Sequence, residues 1–439
     1  MAEEEKRAVQ IALIGAGTVG SGVLRILAEN AEIIARRALP LQLRWLSVRN
    51  KDRGQRILDE LGFGETRLTT DWQEALADPA TDIVVELIGG ITPAREIISA
   101  ALAAGKSVVT ANKDLMALHG GELLQLAAAH QANLFFEASV CGGIPIIQAL
   151  KENLAGNRFL EILGIVNGTT NYILTRMQES EADFAEALAD AQALGYAEAD
   201  PTADVEGDDA ARKMAILSSI AFNSRVTYDM VSSEGIAGIS RWDIRYAADF
   251  GYTIKMLGIA RCDGEAVEVR VHPVMLRNSH PLATVRDAYN AVFVQGDALD
   301  KAMFYGRGAG GAPTGSAVVG DIIAAARDLA RGCGSRWGCT CYRQLPVRHI
   351  DDTVSKYYIR VQVQDRVGVF ASLAQALSAA SVSMDSVMQK RKLPDGGSEI
   401  VIITHPSRHS NIRVALDLIA RMECVREISE YIRVEDDAD

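Results

Sequence analysis

The sequence lacks the features that mark exported, membrane-spanning or nucleic-acid-binding proteins. It contains no uncharged apolar stretch of the 18 or more residues that a transmembrane helix needs. A net charge of −12 gives no general attraction to nucleic acid or to an anionic membrane, so we expect neither as a partner. The N-terminus, with Glu3-Glu4-Glu5, is acidic and leads straight into a short predicted strand, whereas a secretory signal has a basic start followed by an apolar run, so we expect none here.

Cysteine is also scarce, with six in 439 residues. Most have no cysteine neighbour in the sequence, so we expect reduced thiols and therefore a cytoplasmic location. Cys333, Cys339 and Cys341 lie close together in a segment that also contains glycine and proline. A metal site or a redox pair is one interpretation of this cluster. The spacing matches zinc ligands poorly, however, and favours an ordinary loop.

Strand-like and helical segments alternate in the first part of the chain. Apolar runs such as 9–15, 42–48 and 107–110 are separated by helical periodicity, including one helix predicted over 18–38. Alternation of this kind is typical of a parallel sheet with helices on both faces. We therefore predict an α/β, Rossmann-like doubly wound domain over residues 1–150.

The rest of the chain divides into further parts. Residues 151–305 mix strands and helices, which predicts an α+β domain, and the glycine-rich run within 306–331 leads into a helix. Residues 332–352 are predicted to be a linker. The order βαββαβ predicted over 353–439 is typical of a ferredoxin-like domain.

A glycine-rich turn follows the first predicted strand. The sequence Gly-Ala-Gly-Thr-Val-Gly at 15–20 fits G-x-G-x-x-G and precedes a predicted helix. The glycines let the backbone approach a pyrophosphate, and the helix N-terminus supplies N–H groups and a favourable dipole. A glycine-rich turn without a ligand is the alternative. The turn predicts a dinucleotide site formed by Gly15, Gly17, Thr18, Val19 and Gly20.

The end of the second predicted strand bears on the choice of dinucleotide. NAD enzymes usually carry an acidic residue there, which holds the ribose 2′-hydroxyl. No acid stands directly at this strand end, and Arg49 and Lys51 are positive. A 2′-phosphate would be tolerated here, so Arg49 favours NADP as the dinucleotide but does not exclude NAD. A solvated basic turn is the alternative.

Two further motifs follow predicted strands of the first domain. Lys113 ends Val-Thr-Ala-Asn-Lys at the carboxyl edge, where ligands gather in such sheets. Taken alone, this lysine is better explained as a surface residue that starts a helix. Glu137 precedes the turn at 140–145, which is rich in glycine. A carboxylate and converging carbonyls are the ligands that hard cations prefer. A strained turn with no ligand is the alternative.

An acidic run precedes a lysine in the second domain. Three acidic residues lie shortly before Lys213 in the sequence: Glu198, Asp204 and Asp209. Asp209 and Lys213 are four residues apart, so they share a helix face. A helix N-terminus enriched in acids would give the same pattern. A substrate with an ammonium group would use the carboxylates, and its reacting oxygen would use the lysine.

Together the motifs resemble those of homoserine dehydrogenases over residues 8–330. The resemblance is carried by the order and spacing of Gly-Ala-Gly-Thr-Val-Gly, Thr-Ala-Asn-Lys, Glu-Ala-Ser-Val-Cys-Gly-Gly-Ile-Pro, Asn-Gly-Thr-Thr-Asn and Glu-x-Asp-Pro…Asp…Asp-x-x-x-Lys. Residues 357–439 resemble an ACT domain, a regulatory module that binds amino acids, and the turn from Asp365 to Gly368 is its typical mark.

The resemblance implies the NAD(P)H-dependent interconversion of L-aspartate 4-semialdehyde and L-homoserine, on the route to threonine and methionine. It implies that residues 151–305 bind the substrate and dimerise, and that residues 306–331 return to the dinucleotide-binding domain. A homodimer or homotetramer is expected. The ACT domain implies feedback control, with threonine as the expected effector.

The resemblance also implies roles for individual residues. Lys213 moves the proton on the substrate oxygen, and Lys113 assists beside the cofactor. The other implied roles are substrate binding by Glu198 and Asp209 with Asp204 close by, backbone contacts to the cofactor at Gly195 and Gly310, and a sodium-type ion held by Glu137 and the carbonyls of Val140, Gly142 and Ile144.

Two other functions have to be weighed against this one. A different dehydrogenase of an amino-acid-derived substrate would share the dinucleotide site, but the run from Glu198 to Lys213 argues against it. A non-catalytic amino-acid sensor would use the dinucleotide fold only structurally, and the presence of both Lys113 and Lys213 argues against that.

Overall fold

The structure is a computed structural model that describes residues 7–336, 338–394 and 396–436. The chain forms two compact units. Unit 1 contains the described residues up to Leu160, together with Arg212–Met230 and Asn290–Leu345. Unit 2 contains Glu161–Ala211, Val231–Tyr289 and the described residues from Pro346 onward.

The strands are short in the first third of the chain and longer towards its end. In chain order they are β1 Val9–Ile14, β2 Leu41–Ser47, β3 Arg67–Thr69, β4 Ile83–Glu86, β5 Ser107–Thr110, β6 Leu134–Phe135, β7 Phe159–Ile165, β8 Ser232–Ser233, β9 Tyr252–Cys262, β10 Val267–Arg277, β11 Tyr289–Gly296, β12 Asp300–Arg307, β13 Val354–Gln364, β14 Met384–Lys392, β15 Gly397–Thr404, β16 Ser407–Arg408 and β17 Val425–Glu435.

The helices alternate with the strands over most of the chain. They are α1 Thr18–Glu29, α2 Ala31–Arg37, α3 Lys51–Leu61, α4 Trp72–Ala77, α5 Thr92–Ala103, α6 Lys113–Ala129, α7 Ile146–Gln148, α8 Gly168–Ser180, α9 Phe184–Ala193, α10 Thr202–Val205, α11 Asp208–Ala221, α12 Arg241–Asp249, α13 Gly311–Ala330, α14 Val369–Ala379 and α15 His409–Ala420. Within the described part of the chain, none of these helices has the length and apolar character that crossing a membrane requires.

Unit 1 contains a six-stranded parallel sheet in the order β3-β2-β1-β4-β5-β6. This is the strand order of a dinucleotide-binding fold, in which the order reverses between β1 and β4. Strand β1 is buried along its whole length, as expected of a parallel strand with both faces covered. The predicted Rossmann-like sheet is therefore confirmed.

One helix predicted after the glycine turn is two helices in the structure. The pattern predicted a single helix over 18–38, but α1 ends at Glu29 and α2 begins at Ala31. Asn30 lies between them at φ −110° and ψ 15°, outside the helical region. Asparagine favours such positions because its side chain competes for backbone hydrogen bonds.

Unit 2 contains a mixed sheet in the order β7-β9-β10-β17-β13-β15-β14. Strands β9 and β10 pair antiparallel along their full length. Strands β10 and β17 pair parallel, from Val274 with Arg433 to Leu276 with Glu435. The last strand of the chain therefore extends the sheet that begins in residues 161–289.

The C-terminal segment has the element order β13-α14-β14-β15-α15-β17, with the short strand β16 beside β13. Its strands lie in the order β17-β13-β15-β14, which confirms the predicted βαββαβ arrangement. Helices α14 and α15 contribute Leu373, Leu377, Ile412 and Ile419 to the apolar core of this segment. These four side chains are nearly or fully buried, so the helices have an extensive contact with the core.

Candidate active site

A cleft in unit 1 lies at the carboxyl end of β1. It has a volume of about 500 Å³ and is lined by the glycine turn and by residues that follow β2 and β4. The lining includes Gly15, Gly17 and Arg49, all predicted to contact the dinucleotide. Ligands of doubly wound sheets bind where the strand order reverses, which is the position of this cleft.

The three glycines of the turn meet three different steric needs. Gly15 has φ +102°, and a Cβ there would lie 2.8 Å from the carbonyl oxygen of Leu87. A Cβ on Gly20 would overlap the carbonyl oxygen of Gly15, so α1 packs directly on the turn. A Cβ on Gly17 would meet nothing within 4 Å, so the turn is open at that point.

These are the three roles that glycines have in a pyrophosphate-binding turn: the tight turn, the open approach and the close helix packing. Helix α1 begins at Thr18, with Val19 as its second residue, and no side chain caps its N-terminus. Backbone N–H groups at such a terminus suit an anion. The residues of the cleft therefore fit a dinucleotide.

The glycine-rich segment before α13 packs against the same helix. Gly310 is the N-cap of α13 and has φ +113°. A Cβ on the next residue, Gly311, would lie 2.9 Å from the carbonyl oxygen of Thr18, and a Cβ on Gly22 would overlap the carbonyl oxygen of Gly311. Only glycine permits this approach of the two backbones. The structure places the predicted cofactor residue Gly310 next to the dinucleotide turn.

Two arginines line the cleft, Arg49 and Arg53. Asn50 caps helix α3, and its Oδ1 accepts a hydrogen bond of 2.9 Å from the backbone N–H of Arg53. None of the residues described as lining the cleft is acidic. Arg53 was not predicted from the sequence, although it lies four residues after Arg49.

Lys113 begins α6 at the carboxyl edge of the same sheet. The hydroxyl of Thr110, at the end of β5, donates to Glu86 Oε2 at the end of β4 over 2.7 Å. The buried Glu86 carboxylate also accepts two backbone N–H bonds from the loop after β4. Asn112 caps α6 and donates from Nδ2 to the Gly90 carbonyl over 2.7 Å. These bonds fix the backbone immediately before Lys113.

An ion pair joins the helix that starts with Lys113 to the helix that carries Lys213. Arg212 Nε lies 3.1 Å from Asp114 Oδ1. Because Asp114 follows Lys113 and Arg212 precedes Lys213, the pair holds together the two turns that carry the lysines. The Arg212 guanidinium also lies 4.5 Å from the centre of the Tyr228 ring, a cation–π contact. Both lysines are half-buried.

Asn167 holds two of the predicted substrate carboxylates in unit 2. Its Nδ2 donates to Asp204 Oδ1 over 2.6 Å and to Asp209 Oδ2 over 2.9 Å. Its Oδ1 accepts from the backbone N–H of Thr170 and so caps α8. Asn167 is 5% exposed and Asp209 is 9% exposed. Buried carboxylates need such donors, and the pair forms a compact anionic group that suits an ammonium ligand.

Glu198 and Gly195 lie outside this hydrogen-bonded group. Glu198 is exposed, and within the described ranges no hydrogen bond connects its carboxylate to Asp204 or Asp209. Gly195 follows the end of α9 with φ +75°, and its N–H donates to the Gln192 carbonyl over 3.1 Å. Helix termination in the left-handed region accounts for glycine at this position.

Glu137 is buried at the entrance of the turn predicted to hold a cation. Its two carboxylate oxygens accept the backbone N–H groups of Ile147 and Gln148 over 2.8 and 2.7 Å, so it caps α7. Its own N–H donates to the buried Asp321 carboxylate over 2.9 Å. Burial raises the pKa of Glu137 to about 7 and the pKa of Asp321 well above its usual value.

The turn after Glu137 reverses direction within four residues. Cys141 and Gly142 both lie in the left-handed region, at φ +54° and +44°. The N–H of Ile144 donates to the Cys141 carbonyl over 2.9 Å, and the carbonyl of Ile144 accepts from Ile146. Val140 precedes this reversal and is fully buried. The predicted ligands Val140, Gly142 and Ile144 therefore lie in one tight turn.

Comparison with known proteins identifies the family. One family model, described as the NAD binding domain of homoserine dehydrogenase, matches residues 15–137, and a second, described as homoserine dehydrogenase, matches residues 145–323. The homoserine dehydrogenase of Corynebacterium glutamicum is 45% identical over 98% of this chain and 96% of that protein. The chain belongs to the homoserine dehydrogenase family.

Solved homoserine dehydrogenases share the fold. The crystal structure from Thiobacillus denitrificans is similar with a TM-score of 0.91 and 42% identity, over 98% of this chain and 99% of that one. A hyperthermophilic archaeal homoserine dehydrogenase mutant in complex with NADPH is similar with a TM-score of 0.61 and 29% identity, over 73% and 98%.

This member of the homoserine dehydrogenase family is an NAD(P)-dependent oxidoreductase that acts on a CH–OH group. The prediction of a homoserine dehydrogenase is confirmed. No role was predicted for Asn167, although its motif Asn-Gly-Thr-Thr-Asn was recognised, and Glu86 was missed. An asparagine before Gly-Thr-Thr is a typical helix N-cap, and an acid that ends an apolar strand is a typical carboxyl-edge residue.

Proposed function

We propose that Lys213 transfers the proton at the substrate oxygen and that Lys113 assists it beside the dinucleotide. The observation that carries this proposal is the ion pair between Arg212 and Asp114, which holds the two lysine-bearing turns together. The dinucleotide supplies the hydride chemistry. As L-aspartate 4-semialdehyde is reduced, its aldehyde oxygen gains negative charge. A lysine ammonium beside that oxygen stabilises the charge and can donate the proton.

The carboxylates of Asp204, Asp209 and Glu198 are proposed to bind the amino-acid end of the substrate. The Asn167 amide supports this role for Asp204 and Asp209, because it holds two carboxylates close together at a partly open site. Their combined charge suits the ammonium group of L-homoserine. Glu198 is exposed and can approach the ligand without breaking an existing contact of its carboxylate.

The Asp209→Asn variant tests this assignment. Loss of one charge-assisted hydrogen bond costs about 1.5–3 kcal/mol, so the KM for L-homoserine should rise about 10- to 150-fold. The KM for the dinucleotide should not change. Asp208→Asn is the matched control, because the neighbouring carboxylate is not in the proposed set. Equal KM values for L-homoserine in both variants and the wild type would refute the assignment.

NADP is proposed as the preferred dinucleotide. Support comes from Arg49 and Arg53, which line the cleft without any acidic neighbour in its described lining. The archaeal relative described with NADPH is consistent with this choice. Arg49→Ala should raise the KM for NADPH and leave the KM for NADH nearly unchanged. A proportional rise for both dinucleotides in initial-rate assays would contradict a 2′-phosphate contact.

A monovalent cation is proposed at Glu137, with the carbonyls of Val140, Gly142 and Ile144 as further ligands. Glu137 and Asp321 are two buried carboxyls, and no cationic side chain is among the groups that shift the pKa of either one. This uncompensated pair supports a bound cation. A carboxylate has about four lone-pair sites and can accept two N–H bonds while it binds an ion. Sodium would compensate the buried charge.

The cation proposal predicts a pH-dependent effect on stability. The pKa of Glu137 is raised from 4.5 to about 7, so its favourable contribution is present below pH 4.5 and lost as the pH rises through 7. Sodium bound to the carboxylate opposes that loss. We expect NaCl to raise the Tm relative to tetramethylammonium chloride at pH 8 but not at pH 5, by calorimetry. Glu137→Gln should abolish the difference, and an unchanged difference would exclude Glu137 as a ligand.

The C-terminal segment 353–439 is proposed to be an ACT regulatory domain that binds threonine. Its βαββαβ order and the left-handed Gly368 at the start of α14, with φ +93°, support the assignment. Isothermal titration of the full chain with L-threonine should show saturable heat, and L-threonine should inhibit homoserine oxidation. D-Threonine is the matched control. The absence of both heat and inhibition with L-threonine would refute the effector.

A homodimer or homotetramer is proposed as the assembly. Support comes from β12, an edge strand on which Met303 and Tyr305 are 40% and 53% exposed. Apolar side chains on an edge strand invite pairing with a second copy of the chain. Light scattering should give a multiple of the 47.3 kDa chain mass, and Met303→Lys should reduce the measured mass.

The cytoplasm is proposed as the compartment. The six free thiols support this location.

A further inference from the structure

A small cavity in unit 1 places two cysteines beside two cations. This thiol pocket has a volume of about 40 Å³ and is lined by Lys151, Arg225, Cys339 and Cys341, together with apolar residues of α6 and α11. Lys151 and Cys339 also line a separate cleft of about 450 Å³. Because the exposed Cys339 borders both spaces, a small solute can reach its sulfur.

The two thiols are held close together. Both side chains line the same pocket, and only Thr340 separates the two residues in the sequence. The chain turns sharply at Cys341, because the N–H of Tyr342 donates to the Thr340 carbonyl over 2.9 Å and closes a three-residue turn. Cys341 Sγ donates to the Ser219 carbonyl over 3.6 Å, which anchors the less exposed thiol to α11.

Cations and the neighbouring thiol favour a thiolate at Cys339. The adjacent Cys341 side chain is the largest cause that lowers the pKa of Cys339, to about 5, and Arg225 and Lys151 add to it. The adjacent Cys339 side chain and burial raise the pKa of Cys341. Lys151 is positioned by the Gly338 carbonyl, 3.2 Å from Nζ, and by the ring of Phe136.

We propose that Cys339 and Cys341 form an oxidisable thiol pair that reacts with hydroperoxides and closes to an intramolecular disulfide. Cys339 is the attacking residue because it is exposed and lines the pocket with two cations, and Cys341 is the resolving residue because it lines the same pocket two residues away. Cys333, on the same segment, is exposed but lies outside the residues that line either space.

The chemistry balances with hydrogen peroxide as the oxidant. The Cys339 thiolate attacks one peroxide oxygen, the O–O bond breaks, and a sulfenic acid and hydroxide form. The Cys341 sulfur then attacks the Cys339 sulfur, the S–O bond breaks, and its proton leaves with the oxygen as water. Two thiol sulfurs are oxidised by two electrons in total, and the peroxide is reduced to water. A thiol reductant reverses the reaction by exchange.

The thiol pocket borders the two helices that carry the proposed catalytic lysines. Met116 lies one turn after Lys113 on α6, and Ile216 lies one turn after Lys213 on α11, and both line the pocket. A disulfide draws Cys341 towards Cys339 and away from Ser219 on α11. We expect oxidation to lower turnover reversibly, and this step rests on the proposed function of the lysines.

The first test measures thiol reactivity in the full chain. At pH 6, iodoacetamide should label Cys339 roughly tenfold faster than Cys333, because the larger thiolate fraction outweighs the lower nucleophilicity of a low-pKa thiol. Lys151→Met should reduce this ratio. Equal labelling rates for Cys339 and Cys333, measured by peptide mass spectrometry, would overturn the activated thiol.

The second test follows the products of oxidation. After treatment with hydrogen peroxide, mass spectrometry without reduction should find a Cys339–Cys341 disulfide. Cys341→Ser should instead leave a sulfenic acid at Cys339 that dimedone traps, whereas Cys339→Ser should give neither product and Cys333→Ser should behave as the wild type. Absence of the disulfide in the wild type would overturn the proposal.

Turnover separates the two proposals. A disulfide that forms with unchanged homoserine oxidation would overturn the link to the lysine-bearing helices. If Lys213→Ala retained full turnover while the disulfide still formed, the proposed role of Lys213 would fail and the thiol pair would stand.

Discussion

At the scale of single residues, Asn167 organises the proposed substrate site. It donates to two carboxylates that lie 37 and 42 residues further along the chain. It also caps α8 through a different atom, Oδ1. One residue therefore sets both the start of a helix and the separation of Asp204 and Asp209.

The two roles of Asn167 predict different results for two substitutions. Asn167→Ser keeps an N-cap oxygen but loses the amide that bridges Asp204 and Asp209, so the KM for L-homoserine should rise with little change in Tm. Asn167→Ala should cause the same rise in KM and also destabilise the protein by about 0.5–2 kcal/mol, because the cap is lost. Steady-state kinetics and thermal unfolding measure the two effects. Equal Tm values for both variants would contradict the capping role.

The sequence predicted the types of the site residues better than their contacts. Lys113 and Lys213 were identified from their motifs, but the ion pair of Arg212 with Asp114 joins positions 98 residues apart. Such contacts depend on how α6 and α11 pack, and no local pattern encodes that packing. The contact of Glu86 with Thr110 could not be predicted for the same reason, because the two residues lie on different strands of the sheet.

At the scale of elements, the glycine turn between β1 and α1 is the best predicted part of the structure. Its motif, its position after an apolar strand and its role at the reversal of strand order all agree. The break at Asn30 and the long strand β9 were not predicted. Helical periodicity continues on both sides of Asn30, and β9 is buried over most of its length, so it lacks the alternation of a half-exposed strand.

The glycine turn predicts opposite results for two alanine substitutions. A Cβ on Gly17 meets no protein atom, so Gly17→Ala should leave the Tm nearly unchanged while it weakens dinucleotide binding at the open approach. A Cβ on Gly20 overlaps the Gly15 carbonyl, so Gly20→Ala should lower the Tm. Fluorescence titration with NADPH and calorimetry measure the two outcomes. A Tm loss in Gly17→Ala as large as in Gly20→Ala would contradict the division of roles.

At the scale of the whole molecule, the C-terminal fold is joined to residues 231–289 by buried charge. Arg360 donates to both carboxylate oxygens of Asp243, over 2.7 and 2.9 Å, and to Glu399 over 3.0 Å. Asp243 and Glu399 are fully buried, and each also accepts a tyrosine hydroxyl. With the pairing of β10 and β17, this network joins the C-terminal segment to residues 231–289 of the same unit.

Removal of Arg360 should therefore be costly. Arg360→Met leaves the buried Asp243 carboxylate without its cation, while Glu399 keeps only Arg391 at 3.4 Å. The free energy of unfolding should therefore fall by about 3–5 kcal/mol. Arg413→Met is the matched control, because its pair with Asp351 is largely exposed and worth at most about 1 kcal/mol. Urea unfolding of the full chain measures both changes. Similar losses in the two variants would contradict a buried network that stabilises the fold.

We propose that the homoserine dehydrogenase site uses Lys213 for the proton and the glycine turn for the dinucleotide. The rate of NADP reduction with L-homoserine, compared in wild type and Lys213→Ala with NADPH affinity measured in parallel, tests both roles. Turnover should fall about 10²–10⁴-fold while the Kd for NADPH stays within error of the wild type. Undiminished turnover in Lys213→Ala would rule out the proposed role of this lysine.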